Sequence, residues 1–295
     1  MSFFVHLYAI FRPFIKKITR DNISAIAGQS AFYLILSSVP LAMFAVSVLQ
    51  NLHIPEKTLE QIFGMVFNEE ATKSFSHFIS NIYNDSTGIS VVTLLVTLWS
   101  ASKGVHSIAN GLNRVNYTYE NRNWFVLRIR SMVYTVVIFA IVFASMFIIM
   151  LGTANSKWIS ENIIQLPGIV TVLFNLRYFV IFVYIVLMFA FVFKHLPNLS
   201  RETRKDYSFG TLLPGAAFTA AAWYIFTIAI SVYVTDFNGF SIYGGLLRLA
   251  VIMVWLYFCM YFLILGAEIN VFYHEKIKGF LAVVKSIFWN RKKHK

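Results

Sequence analysis

The stretch LLRLAVIMVWLYFCMYFLILGAEIN, residues 246–270, is apolar over a membrane-spanning length, yet it holds Arg248 near its start and Glu268 near its end. A helix of about 20 apolar residues crosses the hydrocarbon of a bilayer. An ionised side chain at the centre of such a helix costs roughly 3 kcal/mol on insertion scales, so it faces protein or water. Glu268 is therefore expected to point into a helix bundle.

The rest of the chain repeats this pattern. Of its 295 residues, 58% are hydrophobic and 13% charged, against about 25% charged in a soluble domain. That apolar excess calls for lipid as solvent. The fold class expected is all-α: a polytopic membrane protein built as a bundle of six transmembrane helices. The segments are about 24–49, 89–110, 131–151, 169–193, 209–234 and 243–272. The second is the most polar, with Ser100, Ser102, Lys103, His106 and Asn110 in its later half.

Charge sets the orientation. Arg12, Lys16, Lys17 and Arg20 precede the first segment. Arg114, Arg122, Arg128 and Arg130 occupy the 111–130 connection, Lys194, Arg201, Arg204 and Lys205 the 194–208 connection, and seven more basic residues the tail. The alternate connections hold only Lys57, Lys73 and Lys157. By the positive-inside rule both termini are cytoplasmic. The net charge of +12 thus belongs to anionic headgroups. It does not describe a nucleic-acid groove, which would interleave stacking aromatics.

The domain organisation expected is one six-helix transmembrane domain, 1–275, followed by a basic cytoplasmic tail, 276–295. Apolar residues at helical spacing in 51–85 read as short amphipathic extracytoplasmic helices, either capping the bundle or forming a lid. The single cysteine, Cys259, excludes an internal disulfide and a cysteine-based zinc site. The histidines lack metal spacing, and no HExxH, GxSxG, CxxC or Walker motif is present, so neither an enzyme, a cofactor nor a metal is expected.

Polar residues inside the segments are the candidate site. AIAGQSAFYLILSSVP, residues 25–40, carries Gln29 and Tyr33. Pro40 marks a candidate kink, because it removes a backbone donor; a kinked helix and a broken, cavity-lining helix are both compatible. Ala27 and Ala31 permit close packing. Lys103, Ser107 and Asn110 share one stripe of the second segment. Lys103 and Glu268 fall at similar depth and are expected to approach each other, as a structural pair or as part of a transport site. Arg177 and Arg248 lie in outer halves, as snorkelling residues or as outer anion contacts. Gly215, Ala216, Thr219 and Ala220 form small-xxx-small pairs for a close helix partner, within one chain or in a homo-oligomer.

Three stretches also carry a family resemblance: AIAGQSAFYLILSSVP, WSASKGVHSIANGLN (residues 99–113), and PGAAFTAAAWYIF through YGGLLRLAVIMVWLYFCMYFLILGAEIN (residues 214–270). Over roughly residues 20–275 the chain resembles the YihY/virulence factor BrkB family of bacterial inner-membrane proteins. Arg248 departs from the family pattern. The resemblance implies a six-span, multi-pass plasma-membrane protein and carries over no catalytic residues. The family's old label, ribonuclease BN, finds no metal cluster here to support it. The function expected is transport of an amphiphilic or anionic, lipid-like molecule, with membrane lipids as partners. A non-catalytic scaffold for envelope proteins is the alternative.

Overall fold

A computed structural model describes residues 12–51, 91–153, 177–236 and 240–274, together with isolated positions between 52 and 90. Among the described residues all regular structure is helical. An amphipathic helix α1 (residues 12–20) leads into α2 (Ile23–Asn51). Then follow α3 (Val91–Val115), α4 (Trp124–Thr153), α5 (Arg177–His195), the short α6 (Arg201–Asp206), α7 (Phe209–Asp236) and α8 (Phe240–Phe272).

Each of the six apolar segments overlaps a helix, the fourth from residue 177 onward. Four contain stretches long and apolar enough to cross a membrane: Ile23–Val48, Trp124–Val142, Phe209–Val234 and Leu249–Phe272. Their outward faces are apolar and exposed, for example Phe32, Leu36 and Val39 on α2, and Tyr224 and Ile225 on α7. Such surfaces suit lipid rather than water. The apolar run of α5 covers Phe179–His195, and α3 is diluted by its polar second half. Most of the 51–85 segment and the tail from 276 lie outside the described residues, as do residues 169–176.

One boundary differs from the sequence expectation. The third apolar helix begins at Trp124, seven residues before Ser131, so Arg128 and Arg130 sit on α4 and not in the 111–130 connection. Arg128 is buried, donates to the Trp99 carbonyl and lies over the Trp99 ring at 4.7 Å. The aromatic face and the carbonyl partner the guanidinium in part, its buried Nε having no hydrogen-bond partner among the described residues, and the helix continues through it.

Two compact units make up the chain. The first comprises Met1–Tyr33, Ser107–Arg122 and Val186–Lys295; the second comprises Leu34–His106 and Asn123–Ile185. In the first, α7 and α8 run antiparallel with backbones in close contact. A Cβ on Gly266 would stand 2.6 Å from the Gly215 carbonyl, so only glycine fits. Polar contacts recur along this seam at four-residue steps on α7. Gly215 N–H donates to Asn270 Oδ1 (2.8 Å), the Thr219 hydroxyl to the Phe262 carbonyl (3.2 Å), Trp223 Nε1 to the Cys259 carbonyl (2.6 Å), and Trp255 Nε1 to the Thr227 hydroxyl (3.1 Å). The Gly215–Thr219 pair of the fifth segment therefore meets α8, and Ala216 and Ala220 are buried.

In the second unit, Gly104 of α3 packs against α2, where an added Cβ would meet the Ser37 hydroxyl at 2.7 Å and a Leu34 methyl at 2.8 Å. His106 Nδ1 and the Ser131 hydroxyl share a hydrogen bond of 3.2 Å.

Candidate functional site

The site lies in the first unit and begins with α1. Pro13, Lys16, Lys17 and Arg20 follow the i, i+3, i+4, i+7 rule, so they share one face. Phe14 points the other way, is buried, and packs on the rings of Phe272 (5.3 Å) and Tyr273 (5.8 Å) at the end of α8. Asn22, with φ of 51°, turns the chain from α1 into α2; asparagine tolerates this left-handed conformation. Its carbonyl accepts from the backbone N–H groups of Ala25 (3.0 Å) and Ile26 (3.2 Å), which starts α2.

This docking brings Lys17 to Glu268. The lysine ammonium donates to Glu268 Oε2 and to Asp21 Oδ2, the latter at 2.9 Å. Glu268 has no exposed side-chain surface, whereas Lys17 keeps 10% and Asp21 7%. The Tyr117 hydroxyl donates to Asp21 Oδ2 (2.9 Å) and accepts from Arg20, whose Nε reaches Asp21 Oδ1 (3.2 Å). The Tyr117 ring lies 4.9 Å from the Lys17 ammonium and 5.5 Å from the Arg20 guanidinium. Glu268 Oε1 is buried with no hydrogen-bond partner.

The electrostatics outside the spans follow from this geometry. Burial alone would raise the Asp21 pKa, but the hydrogen bonds from Lys17, Tyr117 and Arg20 outweigh it and hold the carboxyl at about 2. Burial would lower the Lys17 pKa, but its bonds to Glu268 and Asp21 hold it above the usual lysine value. Both groups are thus fixed in their charged forms at neutral pH.

The cation on Glu268 is Lys17, where the sequence had pointed to Lys103. Lys103 is an exposed residue of α3 within the second unit. Of the other candidates, Ser107 is buried and shares a 3.3 Å hydrogen bond with Ser30, which ties α3 to α2 within the first unit. Gln29 and Asn110 are exposed, and Tyr33 is half-buried. Ala27 and Ala31 are buried, as a close-packing face requires. Pro40 lies inside α2, which is helical from Ile23 through Asn51, so the helix is not broken there. Arg177 opens α5, and Arg248 lies on α8; the side chains of both lie outside the described residues.

Two asparagines make bonds that the sequence reading did not anticipate. Asn270, 2% exposed, accepts from Gly215 N–H and donates through Nδ2 to the Leu212 carbonyl (3.1 Å). These two bonds straddle Pro214, where the proline ring disturbs the helical ladder. Asn113, near the end of α3, accepts through Oδ1 from the backbone N–H of Asn198 (2.6 Å) and donates through Nδ2 to Glu120 Oε2 (3.2 Å), which ties the helix end to two connections. Spacing offered one signal: Gly266 and Asn270 are four apart, on the face that meets α7.

Known proteins place this arrangement in a family. The family model described as Virulence factor BrkB matches residues 14–282, from α1 to beyond the end of α8. Putative ribonuclease-like protein YfkH of Bacillus subtilis is 24% identical over 258 residues, covering 85% of this chain and 90% of its own length. A UPF0761 membrane protein of Vibrio campbellii is 24% identical over 270 residues, covering 89% of this chain and 81% of its own. A third relative, a UPF0761 membrane protein of Alteromonas mediterranea, is 25% identical over 274 residues, with coverages of 88% and 85%. No solved structure matches. The chain is a membrane-embedded protein and belongs to the Virulence factor BrkB family.

Proposed function

We propose that this protein binds an anionic, amphiphilic, lipid-like molecule and moves it across or within the bacterial plasma membrane. The observation that carries this reading is Glu268: a fully buried carboxyl near the end of a membrane-length helix, gripped by Lys17, with one oxygen left unpaired. Burying such a group is unfavourable unless it is paired. Its retention beside a basic groove fits a site for a charged cargo better than packing alone.

In this reading all six apolar helices span the bilayer, and residues 1–275 form the transmembrane domain. Both termini are cytoplasmic, the 51–85 segment is extracytoplasmic, and the tail 276–295 lies on the inner membrane surface. Glu268 and Lys17 form the inner end of the path. Ser107, Asn110, Gln29 and Tyr33 continue it within the same unit, and Arg248 offers an outer anion contact. The protein is non-catalytic. It carries no ATP-binding motif, so movement is passive, ion-coupled or driven by a partner.

The test reconstitutes the purified protein in liposomes and follows transbilayer movement of a fluorescent anionic lipid analogue. Wild type moves the analogue, while Glu268→Gln and Lys17→Gln, still folded, lose most of that activity. If wild type leaves the analogue in place, passive lipid movement is excluded and the scaffold reading takes over. If both variants match wild type, the assigned path is wrong.

A further inference from the structure

The face of α1 that holds Lys17 also opens onto a cavity of about 670 Å³, lined by Pro13, Lys16, Lys17, Arg20, Tyr117, Val271 and Phe272. Its two sides differ in chemistry. One is cationic, and the other is the apolar end of α8. Three cations (Lys16, Lys17 and Arg20) stand against two carboxylates (Asp21 and Glu268), so one positive charge is left over when both acids are ionised.

The donors are unevenly committed. Lys17 is held by Asp21 and Glu268. Lys16 is exposed and forms no ion pair or hydrogen bond among the described residues. Arg20 is 66% exposed and spends one donor on Asp21 and one on the Tyr117 hydroxyl, which leaves further guanidinium N–H groups for a phosphate. Tyr117 adopts φ of 51°, a strained conformation for a bulky residue. Its backbone is pinned by the bond from its N–H to the Arg114 carbonyl (3.1 Å). That strain sets the tyrosine ring as a wall of the cavity, beside both cations.

Depth fixes the class of ligand. The cavity lies between Arg20, just before the first candidate span begins at Ile23, and Phe272, where the last one ends. Charged headgroups sit at that level, with acyl chains running along the spans. We propose that this cavity binds the phosphate of an anionic amphiphile, a phosphodiester lipid headgroup, through Lys16 and Arg20, while Val271 and Phe272 receive the first carbons of its chains. A monoanionic phosphodiester matches the single uncompensated charge. The inference deepens the proposed function and rests on it only for the lipid-like source of the phosphate. It is tested by binding without movement, so either can fail alone.

The experiment uses the full chain in dodecyl maltoside and reads tryptophan-fluorescence melting during titration with dioctanoyl phosphatidylglycerol, dioctanoylglycerol or inorganic phosphate. Wild type is stabilised saturably by phosphatidylglycerol and not by the uncharged diacylglycerol. Lys16→Gln weakens the apparent affinity, and Lys16→Gln/Arg20→Gln weakens it about tenfold or more, as loss of two charge-assisted contacts implies. Lys205→Gln, an exposed lysine on α6, leaves it unchanged. Stabilisation by inorganic phosphate alone, with the same dependence on Lys16 and Arg20, keeps the anion site and identifies its ligand as free phosphate. Lys16→Gln affects only an unpaired side chain, so it reports on binding even if the double variant fails to fold. Wild-type affinity in Lys16→Gln, or equal stabilisation by diacylglycerol, overturns the proposal.

Discussion

Gly266→Ala places one methyl group where α7 and α8 touch. The new Cβ would stand 2.6 Å from the Gly215 carbonyl, and it also meets the Thr219 hydroxyl. The hydroxyl can rotate away, but the carbonyl belongs to the α7 backbone. Relief to an ordinary contact of 3.4 Å requires the helices to part by about 0.8 Å. That opening stretches the Gly215–Asn270 hydrogen bond from 2.8 Å, and the Trp223–Cys259 bond from 2.6 Å, toward or past the limit of a useful contact. Overpacking costs about 1–3 kcal/mol, and each weakened bond adds up to about 1 kcal/mol. A loss of about 3 kcal/mol follows, or about 6–10 °C in melting temperature for a chain of this size. Tryptophan-fluorescence melting in detergent measures it. Gly28→Ala is the internal control: its Cβ meets only Tyr257, at 3.9 Å, and alanine gains up to about 1 kcal/mol of helix propensity. A Gly266→Ala melt within about 2 °C of wild type, or an equal loss in Gly28→Ala, would refute the close contact.

Asn270→Leu removes both bonds that bridge Pro214 and leaves Gly215 N–H and the Leu212 carbonyl without their asparagine partner; a melt lowered by about 2–4 kcal/mol equivalents is expected. Asp21 stabilises the fold fully above its unfolded pKa of 3.8, by about 2 kcal/mol, and that contribution vanishes as pH falls through about 2; Asp21→Asn should flatten the acid limb of a stability–pH profile. Lys17, raised above 10.5, contributes below that value and loses its contribution as pH rises beyond it, so the alkaline limb should flatten in Lys17→Met. Arg128→Ala vacates the Trp99 carbonyl and ring and should lower the melt by about 1–2 kcal/mol equivalents, whereas Lys103→Ala, on an exposed position, should leave it unchanged.

The helices were legible because lipid imposes one simple rule on sequence, a long apolar run for each segment. Four of the six helices hold such a run at membrane-spanning length, and Gly215 and Thr219 announced the α7–α8 seam. Glu268 stood out for the same reason, as an acid where acids are costly. Its partner did not. Lys17 is one of four basic residues before the first span, and the positive-inside rule assigns such residues to headgroups as a set. Only the packing of Phe14 on Phe272 and Tyr273, 258 and 259 positions away in the chain, turns α1 so that Lys17 faces the end of α8. Lys103 drew attention because it lies inside an apolar segment, but sequence depth does not fix the direction of a side chain around its helix. The bond between Asn113 and Asn198 was unreadable for a related reason: an asparagine at the end of α3 shows no partner until a distant connection packs onto it.

The most direct measurement of the central claim, that Lys17 neutralises a buried Glu268, is a double-mutant cycle on melting stability with Lys17→Met, Glu268→Gln and both together. Removing the lysine alone leaves a buried carboxylate with no cation on it and should cost about 3 kcal/mol, while replacing the pair together should recover most of that loss. The account predicts that the double variant melts well above Lys17→Met. Purely additive losses, with the double variant the least stable of the three, would contradict it.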